Sequence, residues 1–376
     1  MAGIYLHIPF CKKACNYCDF HFSTSTKMKA DFVDALILEI DLRKDVLSRD
    51  SISSIYFGGG TPSLLSSEEL NRIINHLYLQ FNIDSDVEIT LEANPDDLNK
   101  DKIKHLAISH INRLSIGVQS FSDKDLRFMN RVHSSKQAIE SIKRSQDIGL
   151  SNITIDLIFG TPGMTNENWF ENLQISFGLK IPHISSYALT VEDNTPLKRE
   201  ILSNRLPPVC ENQSAEQFKL LMDEMKIADY EQYEISNFCK ENSYSRHNLS
   251  YWQKKAYLGL GPSAHSFIRN NRLWNVSNNK KYIQNINKGI LPLESEVLSR
   301  KDQYNEYIMT SLRTIWGCDF SLVKKDFPKI YSIHFLQEIE KYKTLGYVEE
   351  SSGIFTLTNQ GKLFADQISS NLFWTS

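Results

Sequence analysis

Short apolar runs recur along the first two-thirds of the chain, each followed by a polar turn and then by apolar positions at helical spacing. The runs predict strands at 3–8 (GIYLHI), 54–59 (SIYFGG), 87–93 (VEITLEA), 111–118 (INRLSIGV), 152–160 (NITIDLIFG) and 183–189 (HISSYAL). Amphipathic helices are expected between them, for example over 31–47, 67–81 and 135–149. Six strand–helix units in a row imply a parallel sheet, either doubly wound or curled into a barrel. Polar and glycine-rich residues gather at the C-terminal ends of the runs, which read Cys11, GGGTP, Glu92, Gln119, Asp156 and Ala188. A doubly wound sheet would concentrate its site at one switch point, whereas a barrel spreads it around that rim, so the expected fold is α/β with a partial (β/α)6 barrel.

The pattern changes near residue 235. An aromatic, polar stretch without clear period follows (SYSRHNLSYWQKKAYLGLGPSAHS), and helical spacing returns from about 295, ending in a short hairpin and a last helix. The expected division is a barrel over 1–235, a connecting segment over 236–294 and a smaller helical, winged-helix-like domain over 295–376. Winged helices often serve DNA, but residues 301–376 carry eight Lys and Arg against nine Asp and Glu, a balance that argues against a nucleic-acid partner.

Composition narrows the class further. A hydrophobic fraction of 41% with 23% charged residues is ordinary globular usage, and the formal net charge of -3 offers no bulk attraction to nucleic acid or anionic lipid. No run of about 18 apolar residues occurs, and the chain opens on MAGIYLHIPF without the basic start and apolar core of a secretory signal, so a cytoplasmic location is expected. Six cysteines are too few for a disulfide scaffold of this length. Cys210, Cys239 and Cys318 are scattered, whereas Cys11, Cys15 and Cys18 lie within eight residues.

The spacing Cys11-x3-Cys15-x2-Cys18 fits neither the paired CxxC of a zinc ribbon nor a redox CxxC. His7 and His21 flank it, which leaves a structural zinc as the lesser alternative. Three thiolates on one loop suit three corners of a [4Fe–4S] cube, with the fourth iron open to a non-protein ligand. The run Gly58-Gly59-Gly60 at a strand end lets backbone groups approach a ligand closely, although a tight turn alone would also explain it.

CxxxCxxC near the N-terminus, followed by YFGGGTPSLL, resembles the radical S-adenosylmethionine (SAM) superfamily, in which the methionine amino and carboxylate groups of SAM chelate the open iron and an electron from the cluster cleaves SAM. Within it the chain resembles the group containing oxygen-independent coproporphyrinogen III dehydrogenase and its haem-chaperone relatives. The resemblance implies that Cys11, Cys15 and Cys18 hold the cluster, that Tyr5 and Tyr17 flank cluster and SAM, and that Gly59, Gly60 and Thr61 hold the methionine end. It implies SAM contacts for Glu92 in LEANPDD, Gln119 in IGVQSF, Arg131 in FMNRVH, Asp156 in TIDLIFG and Ala188 in SYALT.

Two features separate the relatives. The dehydrogenases carry a further cysteine two residues after the third; here that position is Phe20, and the N-terminal extension that helps to enclose their substrate is not expected. RHNLSYW at 246–252 matches the HNxxYW motif of the haem chaperones, which implies haem as cargo with His247 as candidate iron ligand beside Tyr251 and Trp252. The expected function is haem carriage to membrane haemoproteins, respiratory enzymes among them, with an electron donor for the cluster as a further partner. Oxidative decarboxylation of coproporphyrinogen III is the alternative, and radical SAM chemistry on an unrelated substrate a third. Catalytic residues, covalent or non-covalent haem attachment, and homodimerisation stay open on sequence alone.

Overall fold

Alternation along six strands decides the architecture of the computed structural model, which describes residues 1–375. The strands β1 (Ala2–Ile8), β2 (Ile52–Gly59), β3 (Ile83–Ala93), β4 (Arg113–Gln119), β5 (Ile153–Phe159) and β6 (His183–Ala188) pair in sequence order, all parallel. Between them run α1 (Lys29–Arg43), α2 (Ser67–Gln80), α3 (Lys100–Ala107), α4 (Asp123–Phe128), α5 (Ser135–Asp147) and α6 (Asn166–Gly178). One residue set of each strand, such as Leu6, Phe57, Leu91, Ile116 and Ile155, joins Phe32, Leu36 and Ile73 of the helices in a single apolar core. The alternate set is polar and faces the interior, as period-two side-chain geometry requires. Registers Tyr5↔Tyr56, Tyr56↔Thr90, Glu92↔Ser115 and Asp156↔Ser185 keep these polar residues side by side.

The sheet does not close. After α7 (Pro196–Leu202) and α8 (Glu211–Ile227), β7 (Glu231–Gln232) and β8 (Asn237–Cys239) cover the β6 edge in antiparallel pairing. Beyond α9 (Arg246–Trp252), β9 (Tyr257–Leu260) adds parallel to β1, and β10 (His265–Ile268), β11 (Asn271–Asn275) and, after α10 (Asn279–Ile286), β12 (Leu293–Val297) continue antiparallel. The stretch without clear period thus supplies β9 and the start of β10 on the β1 side of one twelve-stranded sheet, whose other edge is formed by β7 and β8 just before it. Covered edges remove the unpaired backbone groups that an open barrel would present.

The C-terminal unit packs its own core, with Tyr304, Ile308, Phe335 and Ile368 among its buried residues. It runs α11 (Arg300–Leu312), β13 (Cys318–Asp319), α12 (Phe320–Asp326), α13 (Lys329–Thr344), the hairpin β14 (Val348–Ser351) and β15 (Ile354–Leu357), α14 (Asn359–Lys362) and α15 (Ala365–Asn371), a winged-helix-like order. A β-bridge between Glu234 and Thr314, and the Ile315 amide donating to the Tyr233 carbonyl at 3.1 Å, join it to the barrel. No helix among the described residues is long and apolar enough to cross a membrane.

A buried charge network ties the added strands to the barrel. Glu39 of α1, fully buried, accepts hydrogen bonds from the Gly261 amide (2.8 Å), the Tyr282 hydroxyl (2.7 Å) and Asn275 Nδ2 (2.8 Å). Arg43, one turn on, donates to the Gly259 carbonyl at 2.7 Å and to Ser266 Oγ at 3.2 Å. Removing one member strands the others without solvent, at a cost of about 3–5 kcal/mol. Glu39→Ala is therefore expected to lower the midpoint of thermal unfolding markedly, while exposed Glu68→Ala leaves it nearly unchanged, as differential scanning calorimetry would show.

Candidate functional site

The cysteine loop leaves β1 and is held at several points before α1 begins. The Cys11 amide donates to the Ser23 carbonyl (3.0 Å), the Ser23 amide to the Pro9 carbonyl (2.8 Å), and Asn130 Nδ2 to the Ala14 carbonyl (2.7 Å). Lys12 forms ion pairs with Asp96 and Asp97 in the loop after β3. His7 Nδ1 lies 3.2 Å from the Tyr5 hydroxyl and its Nε2 2.8 Å from the His21 carbonyl, while His21 Nε2 meets Asn279 Oδ1 at 2.7 Å. His7 thus spends its ring nitrogens on Tyr5 and the loop backbone, and His21 spends Nε2 on α10, rather than on the cysteines.

Cys11, Cys15 and Cys18 share the wall of one cavity of about 1280 Å³ at the C-terminal rim of the strands. Thr61 Oγ1 donates to Cys11 Sγ at 3.6 Å, and Arg131 Nη1 approaches Cys15 Sγ at 3.2 Å. The other arm of Arg131 donates to Asn94 Oδ1 (2.6 Å) and to the Gly117 carbonyl (2.7 Å). Burial pushes the Cys11 thiol up and the Cys18 thiol up to about 11, so both favour a partner that stabilises thiolate, as a metal does. No three His, Cys, Asp or Glu side chains among the described residues converge on a single ion position, which thiolates bound to separate corners of a cube do not need to do.

The glycine run has two jobs. Gly59 has φ +106° and lies so close to His7 that a Cβ would stand 2.7 Å from the ring; a Cβ on Gly60 would stand 2.7 Å from the Phe10 carbonyl oxygen. Glycine is thus needed for packing against the cysteine loop, and both residues also line the cavity. At the end of β4 a register shift between Ile116 and Gln119 puts Gln119 at φ +68°, and that irregularity accompanies its place on the same wall.

Glu92, Asp156, Ala188 and Tyr17 line the cavity as well. The Tyr56 hydroxyl donates to Glu92 Oε1 at 2.9 Å. Tyr5 and His247 do not reach the wall. Tyr5, Tyr56 and His247 stack in one cluster, with ring centres 6.1 Å (Tyr5–Tyr56), 6.3 Å (Tyr5–His247) and 5.0 Å (Tyr56–His247) apart. His247 is 1% exposed on the barrel floor, its Nδ1 2.8 Å from Ser54 Oγ and its Nε2 2.9 Å from the Tyr251 hydroxyl, and its amide donates to Glu88 Oε1 at 3.3 Å. Burial pushes its pKa down to about 3, so the ring is neutral.

Sequence reasoning overlooked Asn94, which sits inside the quoted LEANPDD motif and bridges Arg131 to Thr61 by donating from Nδ2 at 3.2 Å. It also overlooked Tyr56, Arg113, Arg313 and Lys362 on the cavity wall; the last two carry no local signal because they belong to the C-terminal unit. Five wall residues, Thr90, Arg113, Arg131, Ser186 and Ser214, have a buried polar atom without a protein partner. Orphaned donors and acceptors of this kind suit a ligand bearing hydroxyl, amino and carboxylate groups. The donor set, three thiols on one loop with a glycine-lined edge and two carboxylates, fits a [4Fe–4S] cluster with SAM.

Burial, with Asp156 nearby, pushes the Glu92 carboxyl up to about 8, and burial pushes Asp156 up to about 6. A carboxyl whose folded pKa is raised stabilises the fold fully below its ordinary value, and that contribution is lost as pH climbs through the folded pKa. The ligand-free protein is therefore expected to lose thermal stability from about pH 4 to about pH 8, with Glu92→Gln flattening the upper part of the curve in a pH series of unfolding midpoints.

Comparison with known proteins agrees with this geometry. Residues 5–174 match the family model described as Radical SAM superfamily, and residues 298–364 match the HemN C-terminal domain. The chain is 33% identical over 371 residues to the heme chaperone HemW of Bacillus subtilis, covering 98% of both chains, and 35% identical over 314 residues to that of Lactococcus lactis, covering 82% of this chain and 80% of the relative. Among solved structures it resembles coproporphyrinogen III oxidase (HemN) from Escherichia coli, a radical SAM enzyme, with a TM-score of 0.86 at 24% identity over 99% of this chain and 90% of that one. A rim of three cysteines, glycines and carboxylates on this fold, with relatives alike over nearly their whole length, makes the chain a member of the radical SAM superfamily and, within it, of the heme chaperone HemW family.

Proposed function

We propose that the protein is a haem chaperone that binds haem in the rim cavity and passes it to membrane haemoproteins. The observation that carries this reading is the cavity itself. At about 1280 Å³ it exceeds the roughly 300–1,000 Å³ typical of a single small-molecule site, so it has room for SAM and a larger partner together. Relatives named heme chaperone HemW support haem as that partner. Phe20, 68% exposed on the cavity wall where the decarboxylating relatives have a further cysteine, supports carriage over oxidative decarboxylation.

In this reading Cys11, Cys15 and Cys18 hold the cluster, with Arg131 and Thr61 beside two of the sulfurs. Gly59, Gly60, Gln119, Glu92, Asp156 and Ala188 would bind SAM, and Tyr17 would close the wall beside them. When bound, the cluster and SAM would supply one-electron chemistry, fed by an external donor. Tyr5 supports Tyr56 from below, and Tyr56 orients Glu92. Iron ligation by His247 requires α9 to release the ring from Ser54 and Tyr251, because both nitrogens are engaged on the floor.

Anaerobic reconstitution is expected to give iron- and sulfide-loaded protein that binds haem and does not convert coproporphyrinogen III to protoporphyrinogen IX; product formation, or no haem binding, would overturn the reading. Replacing Cys11, Cys15 and Cys18 together by alanine is expected to abolish cluster iron, and unchanged iron content would remove the cluster assignment. If His247 ligates the iron, haem titration will show a slow phase and a histidine-ligated spectrum, both lost in His247→Ala. A spectrum unaltered by that substitution would give the iron another ligand.

A further inference from the structure

The charges around the cavity divide into those already matched and those that are not. Arg131 is engaged by Cys15, Asn94 and Gly117. Arg113 donates to Asn152 Oδ1 (2.7 Å) and Thr154 Oγ1 (2.6 Å) and stands 3.9 Å from Glu88. Lys198 pairs with Asp193 at 3.1 Å, and Lys13 on the cysteine loop is exposed. The C-terminal unit contributes two half-buried cations of another kind. Lys362 has only neutral acceptors among the described residues, Gln232 Oε1 at 2.8 Å and Asn359 Oδ1 at 3.3 Å. Arg313 donates from Nη1 alone, to Asp366, whose side chain is 86% exposed.

Arg313 is also held in place. Its guanidinium carbon lies 5.7 Å from the ring centre of Trp252, the last residue of α9, and it follows α11 at the point where the Glu234–Thr314 bridge joins barrel and C-terminal unit. Glu234, buried there, spends Oε1 on the Ser236 amide (3.0 Å) and Asn237 Nδ2 (2.5 Å). Most of the donors on Arg313 make no hydrogen bond, although the Glu234 carboxylate lies near enough to interact with its charge, and an ion pair whose carboxylate is 86% exposed contributes little and exchanges readily for another carboxylate.

We propose that Arg313 and Lys362 receive the two propionate carboxylates of the tetrapyrrole, so that the C-terminal unit supplies the acid-recognising edge of a cavity whose remaining walls belong to the barrel. This rests on the haem reading above. Trp252 acts as a positioning residue, which gives the helix carrying the HNxxYW sequence a second task besides filling the floor.

Comparing haem with haem dimethyl ester, in which both propionates are neutral, tests the proposal on the intact protein. Wild type is expected to bind the diacid at least about tenfold more tightly than the diester, the scale of one charge-assisted hydrogen bond. Arg313→Gln with Lys362→Gln is expected to remove that preference while leaving diester affinity and SAM affinity in place. Equal binding of acid and ester by wild type overturns the assignment without needing any variant to fold, and so does a double variant that keeps the preference. Binding of neither compound by wild type overturns this inference together with the haem reading on which it rests.

Discussion

Charged and hydroxylic side chains inside a sheet cost free energy unless each finds a partner, and the inward faces of β1–β6 carry such residues from floor to rim. At the floor the requirement is met largely within the protein, Arg113 Nε excepted. A continuous chain runs from Ser54 through His247, Glu88, Arg113 and Thr154 to His183, whose Nε2 lies 2.8 Å from the Tyr233 hydroxyl. At the rim it is not met: Glu92 and Asp156 face the same cavity as three cysteines, and buried polar atoms there lack protein partners. The floor therefore gives rigidity, and the rim gives binding capacity.

Everything outside the six strands serves that division. Strands β7 to β12 cap the two edges, so the barrel stays open without exposing a long edge. The Glu39 network locks one of these additions to α1, and Tyr233 and Glu234 on the other side lead directly into the C-terminal unit. The cysteine loop is clamped from below by His7 and from the side by Asn130 and Lys12, which places it without a regular element of its own. Short helices such as α9, of seven residues, have little stability alone and persist through such tertiary contacts.

The six barrel strands were legible because their period of two and their lengths are local properties. Predicted and observed bounds differ by few residues in most cases, as with 183–189 against His183–Ala188; β3 begins earlier, at Ile83, because its first four residues are half-buried or exposed and mostly polar, and so break the apolar run. The stretch after 235 was not legible as strands, since β8, β10 and β11 are short, of three to five residues, and their side chains alternate weakly between buried and exposed. The rim residues were named from the family resemblance of the motifs that hold them, several at strand ends, and twelve of them, from Cys11 to Ala188, do line one cavity. Tyr5 and His247 lie beneath it, stacked on Tyr56, a relation that no spacing in the chain encodes.

By itself the sequence determined the strand and helix order, the three-cysteine loop and the polar rim, because each is written within a few consecutive residues and a periodicity. Tertiary structure alone decided that RHNLSYW packs as the barrel floor, that Gly59 and Gly60 are demanded by His7 and Phe10, and that Arg313 and Lys362 reach the cavity from the C-terminal unit. The physical reason is separation along the chain: those contacts join residues tens to hundreds of positions apart, and only the closing of the sheet's edges and the docking of the second core bring them together.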